Sequence, residues 1–159
     1  MTAISPMRPK YFGTFSERTI AGYADENVSS FRWGEATALE RARARFQQLL
    51  PHGLLTPSHH LHEILDRPDG KTVGGLWFEI SQAPGPHSAY LYDLHVEREF
   101  RRAHHAKVAL ALVEARCREL GAATLELQIF AHNTIAHAMY NSLGFNVTSF
   151  NLVKRLDEA

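Results

Sequence analysis

Apolar positions along the chain change their spacing several times, and each change predicts an element. Phe12, Phe15, Thr19, Ile20 and Tyr23 recur at helical spacing after Pro6 and Pro9, while residues 3–5 read as a short edge strand. A second helix is predicted over 35–50, where Leu39, Ala42, Phe46, Leu49 and Leu50 share a face before Pro51 ends it. Arg41, Arg43 and Arg45 mostly fall off that face, as a solvated helix surface does. Residues 59–65 and 73–80 read as strands around the turn Arg67-Pro68-Asp69-Gly70, which makes a hairpin. Within the second strand, Gly74-Gly75 marks a bulge or a close approach by another backbone, and Ala83-Pro84-Gly85-Pro86 ends it.

Strict alternation resumes over 89–96, placing Tyr90, Tyr92, Leu94 and Val96 on one side and Leu91, Asp93 and His95 on the other. A basic turn leads into a helix whose stripe is Ala106, Ala109, Leu110, Val113, Cys117 and Leu120, capped by Gly121. Leu125, Leu127 and Ile129 then share a face of a strand over 124–130. Asn133 is a suitable N-cap for a helix striped by Ala136, Met139, Tyr140 and Leu143 and ended by Gly144. Val, Thr and Phe enrichment over 145–156 predicts a final strand. The expected order is β, α, α, β, β, β, α, β, α, β, and no linker or repeat interrupts it. The pattern is that of one α/β domain over 1–159, with a central mixed, mostly antiparallel sheet flanked by helices.

Composition narrows the function classes. The chain has 159 residues, 45% of them apolar, which suffices for one core. Lys plus Arg equals Asp plus Glu at 17 each, so a nucleic-acid or membrane binder's global positive field is missing and neither partner is expected. A polyanion site would have to be local. The only cysteine, Cys117, admits no internal disulfide, and residues 1–10 lack a signal-peptide core; a cytoplasmic location is expected. The ten histidines supply no HExxH and no third ligand at a diagnostic spacing to join His60 and His62, so no metal is expected. GxxxxGK and GxSxG are likewise absent.

The local polyanion site has an obvious candidate. A strand breaks into a basic turn beside Arg101 and Arg102 and then enters a helix, whose first N–H groups point outward unpaired at the positive end of the dipole. Such a turn suits a pyrophosphate.

Two motifs here resemble the GNAT superfamily of N-acyltransferases. The family's phosphate-binding pattern is Arg or Gln, two residues, Gly, one residue, Gly or Ala; Arg101, His104 and Ala106 stand at those positions, with histidine where glycine is usual. Its second signature, an Asn, a later helix Tyr and then Gly-Phe, is matched by Asn133, Tyr140, Gly144 and Phe145. The resemblance implies a GNAT-like fold and acetyl-CoA as cosubstrate. It implies contacts to that cosubstrate from Leu94, His95 and Val96, from the turn Arg101, Arg102, Ala103, His104, His105 and Ala106, and from Asn133 and Tyr140. It also makes Tyr140 the proton donor to the departing thiolate. The reaction expected is acetyl transfer to a primary amine, in a small molecule or a protein, and a homodimer is allowed.

An attacking amine must be neutral, yet a lysine-like ammonium has a pKa of about 10.4, so a base or a water chain is useful. Glu79, Asp93 and His95 are the candidates, and each has an ordinary structural reading as well: Glu79 as a solvent-facing strand residue, Asp93 as half of a pair. The contrasting function is a non-catalytic CoA-sensing or interaction module, motivated by His104.

Overall fold

The computed structural model describes residues 1–157. In chain order the elements are β1 (Ala3–Pro6), α1 (Pro9–Ser29), α2 (Glu35–Leu49), β2 (His59–Leu65), β3 (Thr72–Ile80), β4 (His87–Val96), α3 (His105–Glu119), β5 (Ala122–Leu127) and α4 (Thr134–Ser142). The strands form a single mixed sheet in the order β1-β2-β3-β4-β5. All pairs are antiparallel except β4 with β5, whose parallel pairing requires the crossover that α3 provides. By contact density the chain divides into two compact units, one of residues 1–17 with 47–128 and one of 18–46 with the chain from 129 onward. The whole sheet and α3 lie in the first.

In that first unit, one sheet face carries Ile64, Leu76, Phe78 and Leu91, all buried. Arg116 of α3 acts electrostatically on His60 and His62 of this face, so α3 covers it, contributing Ala109, Leu110, Val113 and Cys117 to the core. His60 and His62 each stack on Phe78, and burial, followed by the charges of His60 and Arg116, pushes His62 down to about 4. These histidines are packing groups. The opposite face is covered by the start of α1, where Phe15 is fully buried and stacks on His95 at 5.7 Å.

The two glycines of β3 are sites of close approach. A Cβ on Gly74 would collide with the His95 carbonyl oxygen, and one on Gly75 would lie 2.8 Å from the Phe15 ring. A register shift also lies beside Gly74, where β3 inserts Val73 between the partners of Ile64 and Leu65, and a second falls between Trp77 and Phe78, where β4 inserts Tyr92 as its extra residue. That insertion overturns the expected alternation of β4. Ala89 and Leu91 before the bulge share their face with Leu94 and Val96 after it, and Tyr90, Tyr92, Asp93 and His95 occupy the other.

Other expectations are also corrected. On α2 the buried face is Ala38, Ala42 and Phe46, while Leu39 is exposed. β5 ends at Leu127, so Ile129 and Phe130 are not in a strand. The final strand predicted over 145–156 does not form: the segment is irregular, and Val147, Phe150, Leu152, Val153 and Leu156 are exposed. Strand propensity expresses fit to a neighbouring strand, and this segment has no neighbour to pair with among the described residues.

Glu63, on β2, is 1% exposed and accepts hydrogen bonds from the Arg8 amide at 3.0 Å, Arg8 Nε at 2.8 Å, Arg8 Nη2 at 2.7 Å and the Thr72 hydroxyl at 2.6 Å. Burial alone would raise its pKa; the hydrogen bonds and the Arg8 charge outweigh burial and bring it from 4.5 to about 2. Because the folded-state value lies below the unfolded one, the stabilisation is fully present above pH 4.5 and disappears as pH falls toward 2. The Arg8 side chain is half-exposed, so screening reduces the contribution to about 2 kcal/mol. The urea midpoint is therefore expected to drop across that interval, and Glu63→Gln to flatten the drop; an unchanged slope in the variant would refute the assignment.

Cys117, buried under the sheet, has its thiol pushed up to about 11, first by burial and then by the Glu114 carboxylate. In the second unit, the end of α1 is organised by fully buried Asn27, whose side-chain amide donates to the Tyr23 carbonyl at 2.8 Å and whose own carbonyl accepts from Arg32 and Trp33. Trp33 meets Tyr23 edge-on at 5.2 Å and lies under the Arg41 guanidinium at 4.6 Å. Among the described residues no helix is long and apolar enough to cross a membrane.

Candidate active site

β4 outruns β5. Their pairing stops at Leu91 opposite Leu127, whereas β4 continues to Val96 with β3 alone beside it. From Tyr92 to Val96, β5 does not pair with β4, and this stretch holds the predicted contacts Leu94, His95 and Val96.

After β4 a 3-10 turn, Arg98–Phe100, leads to the basic turn. Arg101 Nε donates to the Val96 carbonyl at 2.9 Å, which ties the turn back to the strand end. Arg102 and His104 both have left-handed backbones, with φ of 67° and 62°. His104 is the N-cap residue of α3, is exposed, and makes no side-chain cap bond. Its backbone thus takes a conformation that glycine adopts without strain, at a cost of about 1 kcal/mol for a residue with a Cβ. The first bond of the helix runs from Val108 N–H to the His104 carbonyl, so the amides of His105, Ala106 and Lys107 precede it and have no acceptor within the helix. The His105 ring is held by the Thr2 hydroxyl at 2.8 Å, fixing the helix start against the strand that opens the chain. Arg102 and Ala103 are exposed on the same turn.

The bulge at Tyr92 brings Glu79, Asp93 and His95 to one face of the sheet. Glu79 Oε2 accepts from the Tyr92 hydroxyl at 2.7 Å, and its Oε1 lies 3.6 Å from His59 Nε2. Trp77 Nε1, which can only donate, bonds His59 Nδ1 at 2.9 Å, so neutral His59 carries its proton on Nε2, toward Glu79. Burial lowers the His59 pKa against the opposing pull of the Glu79 charge. Tyr92 stacks on Trp77 at 4.4 Å and meets Tyr90 at 4.7 Å. The Glu79 side chain keeps about a third of its surface accessible within this aromatic group, at 33%.

Asp93 is differently placed. Its Oδ2 lies 3.1 Å from His95 Nδ1, and Glu97 approaches the other ring nitrogen at 3.7 Å. His95 is a buried ring between two carboxylates and under Phe15. Sequence reasoning named Glu79 and Asp93 but missed His59, Trp77 and Tyr92 as their company. The turn at 67–70 could have supplied the register that sets His59 opposite Glu79; nothing local announces the bulge that turns Tyr92 toward it. Among the described residues no group of three or more metal-ligating side chains occurs, and Glu63, which follows His62, is committed to Arg8 and Thr72.

In the second unit, Asn133 Oδ1 accepts from the Ala136 amide at 3.2 Å and caps α4 as predicted. Tyr140 is buried on that helix, while Leu143 is exposed. The Phe145 amide bonds the Tyr140 carbonyl at 3.1 Å, the Gly144 amide bonds that of Asn141 at 3.2 Å, and Gly144 has φ of 91°. This is a Schellman motif, and its hydrophobic contact is Tyr140 against Phe145, edge-on at 5.3 Å. The Tyr-then-Gly-Phe spacing is therefore the sequence form of a helix stop.

The parallel pairing of β4 with β5 thus stops at Leu91, a basic turn and a helix start follow β4, and one sheet face holds a carboxylate among aromatics. Comparisons with known proteins give the family. The description "Acetyltransferase (GNAT) family" matches residues 20–145, and the chain belongs to that family. It is 33% identical over 154 residues to the Bacillus subtilis (strain 168) protein named "Uncharacterized N-acetyltransferase YycN", covering 96% of this chain and 97% of that one. A crystal structure of YycN from Bacillus subtilis superposes with a TM-score of 0.93 at 32% identity, over 99% of this chain and 100% of that one. The GCN5-related N-acetyltransferase from Ralstonia eutropha JMP134, at 14% identity and a TM-score of 0.72 over 99% and 100% of the two chains, shows the shared fold alone. The protein is an acyltransferase of the N-acetyltransferase type.

Proposed function

We propose that the protein transfers an acetyl group from acetyl-CoA to a primary amine by direct attack in a ternary complex, in the cytoplasm and without a metal. The observation that carries this is the paired left-handed turn at Arg102 and His104, which leaves the amides of His105, Ala106 and Lys107 outside the hydrogen bonding of α3. Those amides and the exposed Arg102 fit the pyrophosphate of CoA, and the stretch of β4 from Tyr92 to Val96, which runs on beyond its pairing with β5, fits its extended arm. His104 has a left-handed backbone, which glycine adopts without strain, and this supports cofactor binding at the turn over a non-catalytic module.

Acetyl-CoA supplies the activated thioester. In this reading Glu79 takes the proton of the acceptor ammonium, being held by Tyr92 and His59 yet partly open, whereas Asp93 shares His95 with Glu97. A backbone N–H near Val96 polarises the thioester carbonyl, and the strand end there is held by the bond from Arg101 Nε to the Val96 carbonyl. The family resemblance gives Tyr140 the proton donated to the departing thiolate and Asn133 a contact to the cosubstrate. The acceptor is a small-molecule or protein amine, with no nucleic acid or membrane involved.

CoA at 100 times its dissociation constant is expected to add about 2.7 kcal/mol to stability. For a chain of this size that raises the melting temperature by roughly 5–11 °C. No shift with millimolar CoA would remove the cosubstrate and the reaction together. Thiol release across a panel of primary amines then tests turnover and identifies the acceptor class.

A further inference from the structure

We propose that Thr2 is a positioning residue for CoA: by gripping the His105 ring it holds the basic turn in the shape that receives the pyrophosphate. The inference rests on the reading of that turn as the pyrophosphate site, and it adds a residue 103 positions away in sequence.

The turn has little to hold it from within. Arg102 and His104 both have left-handed backbones, which cost free energy in residues with a Cβ and persist only where the surroundings impose them. His104, the N-cap residue, makes no side-chain cap bond. Restraint comes from two side-chain bonds to positions fixed by the sheet. Arg101 Nε donates to the Val96 carbonyl at 2.9 Å, ahead of both strained residues, and the Thr2 hydroxyl meets His105 Nδ1 at 2.8 Å, after both. The strained pair therefore lies between two anchors.

The strand register shows that the anchors stand at one end of the sheet. Ala3 is opposite Leu65, Leu65 is opposite Thr72, and the Glu97 amide donates to the Val73 carbonyl. Thr2 and Val96 are thus three strand spacings apart, about 14 Å, and the turn is strung across that end. Thr2 is buried and adjoins the ladder of β1 with β2, so its hydroxyl is a fixed point. Among the described residues that hydroxyl bonds nothing else, so it donates to Nδ1, and neutral His105 carries its own proton on Nε2. The His105 amide is one of the three that precede the first bond of α3, so Thr2 grips a residue that itself presents a donor. Without the grip, the left-handed pair relaxes and the three amides lose their common aim.

Calorimetry with CoA, well below the melting temperature, tests this. Thr2→Val keeps the shape and removes the hydroxyl, and it should weaken CoA binding roughly three- to tenfold, the worth of one hydrogen bond. Thr2→Ser, which restores the hydroxyl, should bind CoA as the wild type does. In a His105→Ala background, Thr2→Val should have no further effect, because the grip is already gone. Unchanged affinity in Thr2→Val overturns the proposal even if the melting temperature falls, as does an equal loss in Thr2→Ser or the same loss in both backgrounds. A wild type that binds no CoA removes the reading of the turn itself, whereas a wild type and Thr2→Val that bind alike remove only the role of Thr2. Should Thr2→Val not fold, the imidazole nitrogen shifts of wild-type His105 decide. The neutral ring should be protonated on Nε2 and bare on Nδ1; a ring protonated on Nδ1, or averaging between the two forms, overturns the proposal.

Discussion

Replacing Glu79 with glutamine is expected to lower turnover near neutral pH by roughly 100- to 10,000-fold while leaving CoA affinity unchanged. Glutamine keeps the shape and accepts from the Tyr92 hydroxyl through its one oxygen, while its NH2 faces the His59 Nε2–H and loses that contact. Loss of the proton acceptor is distinct from loss of that one orienting contact. That distinction has its own signature. As pH approaches about 10.4, the ordinary value of a lysine-like amine, the acceptor becomes neutral without help, and the wild-type to variant ratio should shrink. A ratio that is constant with pH would show that Glu79 shapes the site and does not accept the proton. His59→Ala should give a smaller loss of the same kind, because it removes one of the groups that orient the carboxylate.

Gly74→Ala is expected to destabilise the fold by about 3 kcal/mol, near the upper end of what overpacking usually costs. The added methyl group meets the carbonyl oxygen of His95, which belongs to the neighbouring strand and cannot swing aside. For this chain length the melting temperature should fall by roughly 6–12 °C. Gly75→Ala is the internal control, since its methyl meets the ring of Phe15, a side chain that can rotate, and the loss should be smaller. Equal melting temperatures for the two variants would contradict the contrast. Because His95 lies on the stretch of β4 that runs beyond β5, Gly74→Ala should also raise the KM for acetyl-CoA.

Local signals were legible in the sequence. The Asn133 cap, the Gly121 stop, the 67–70 turn and the stripe of α3 all express contacts within a few residues, and all stand where they were predicted. The Tyr140 to Phe145 signature was equally readable because it is a helix stop. What failed depended on strands meeting across the chain. The bulge at Tyr92 reverses the phase of β4, and no residue within β4 announces it. The same bulge builds the Trp77, His59, Glu79 and Tyr92 group, so that group was hidden too, although Glu79 itself was named. The segment 145–156 has the composition of a strand but pairs with no strand among the described residues. His104 was the opposite case: as a letter it departs from the motif, yet its φ of 62° lies in the left-handed region that favours glycine.

The burial of Cys117 bears on how this protein is assayed. It is the chain's sole sulfhydryl, and with its pKa at about 11 it is almost entirely protonated near neutrality. Reagents that colour on contact with thiolates should therefore see little of the folded enzyme, so CoA release can be followed continuously against a flat blank, and a slow rise in that blank without substrate would report unfolding.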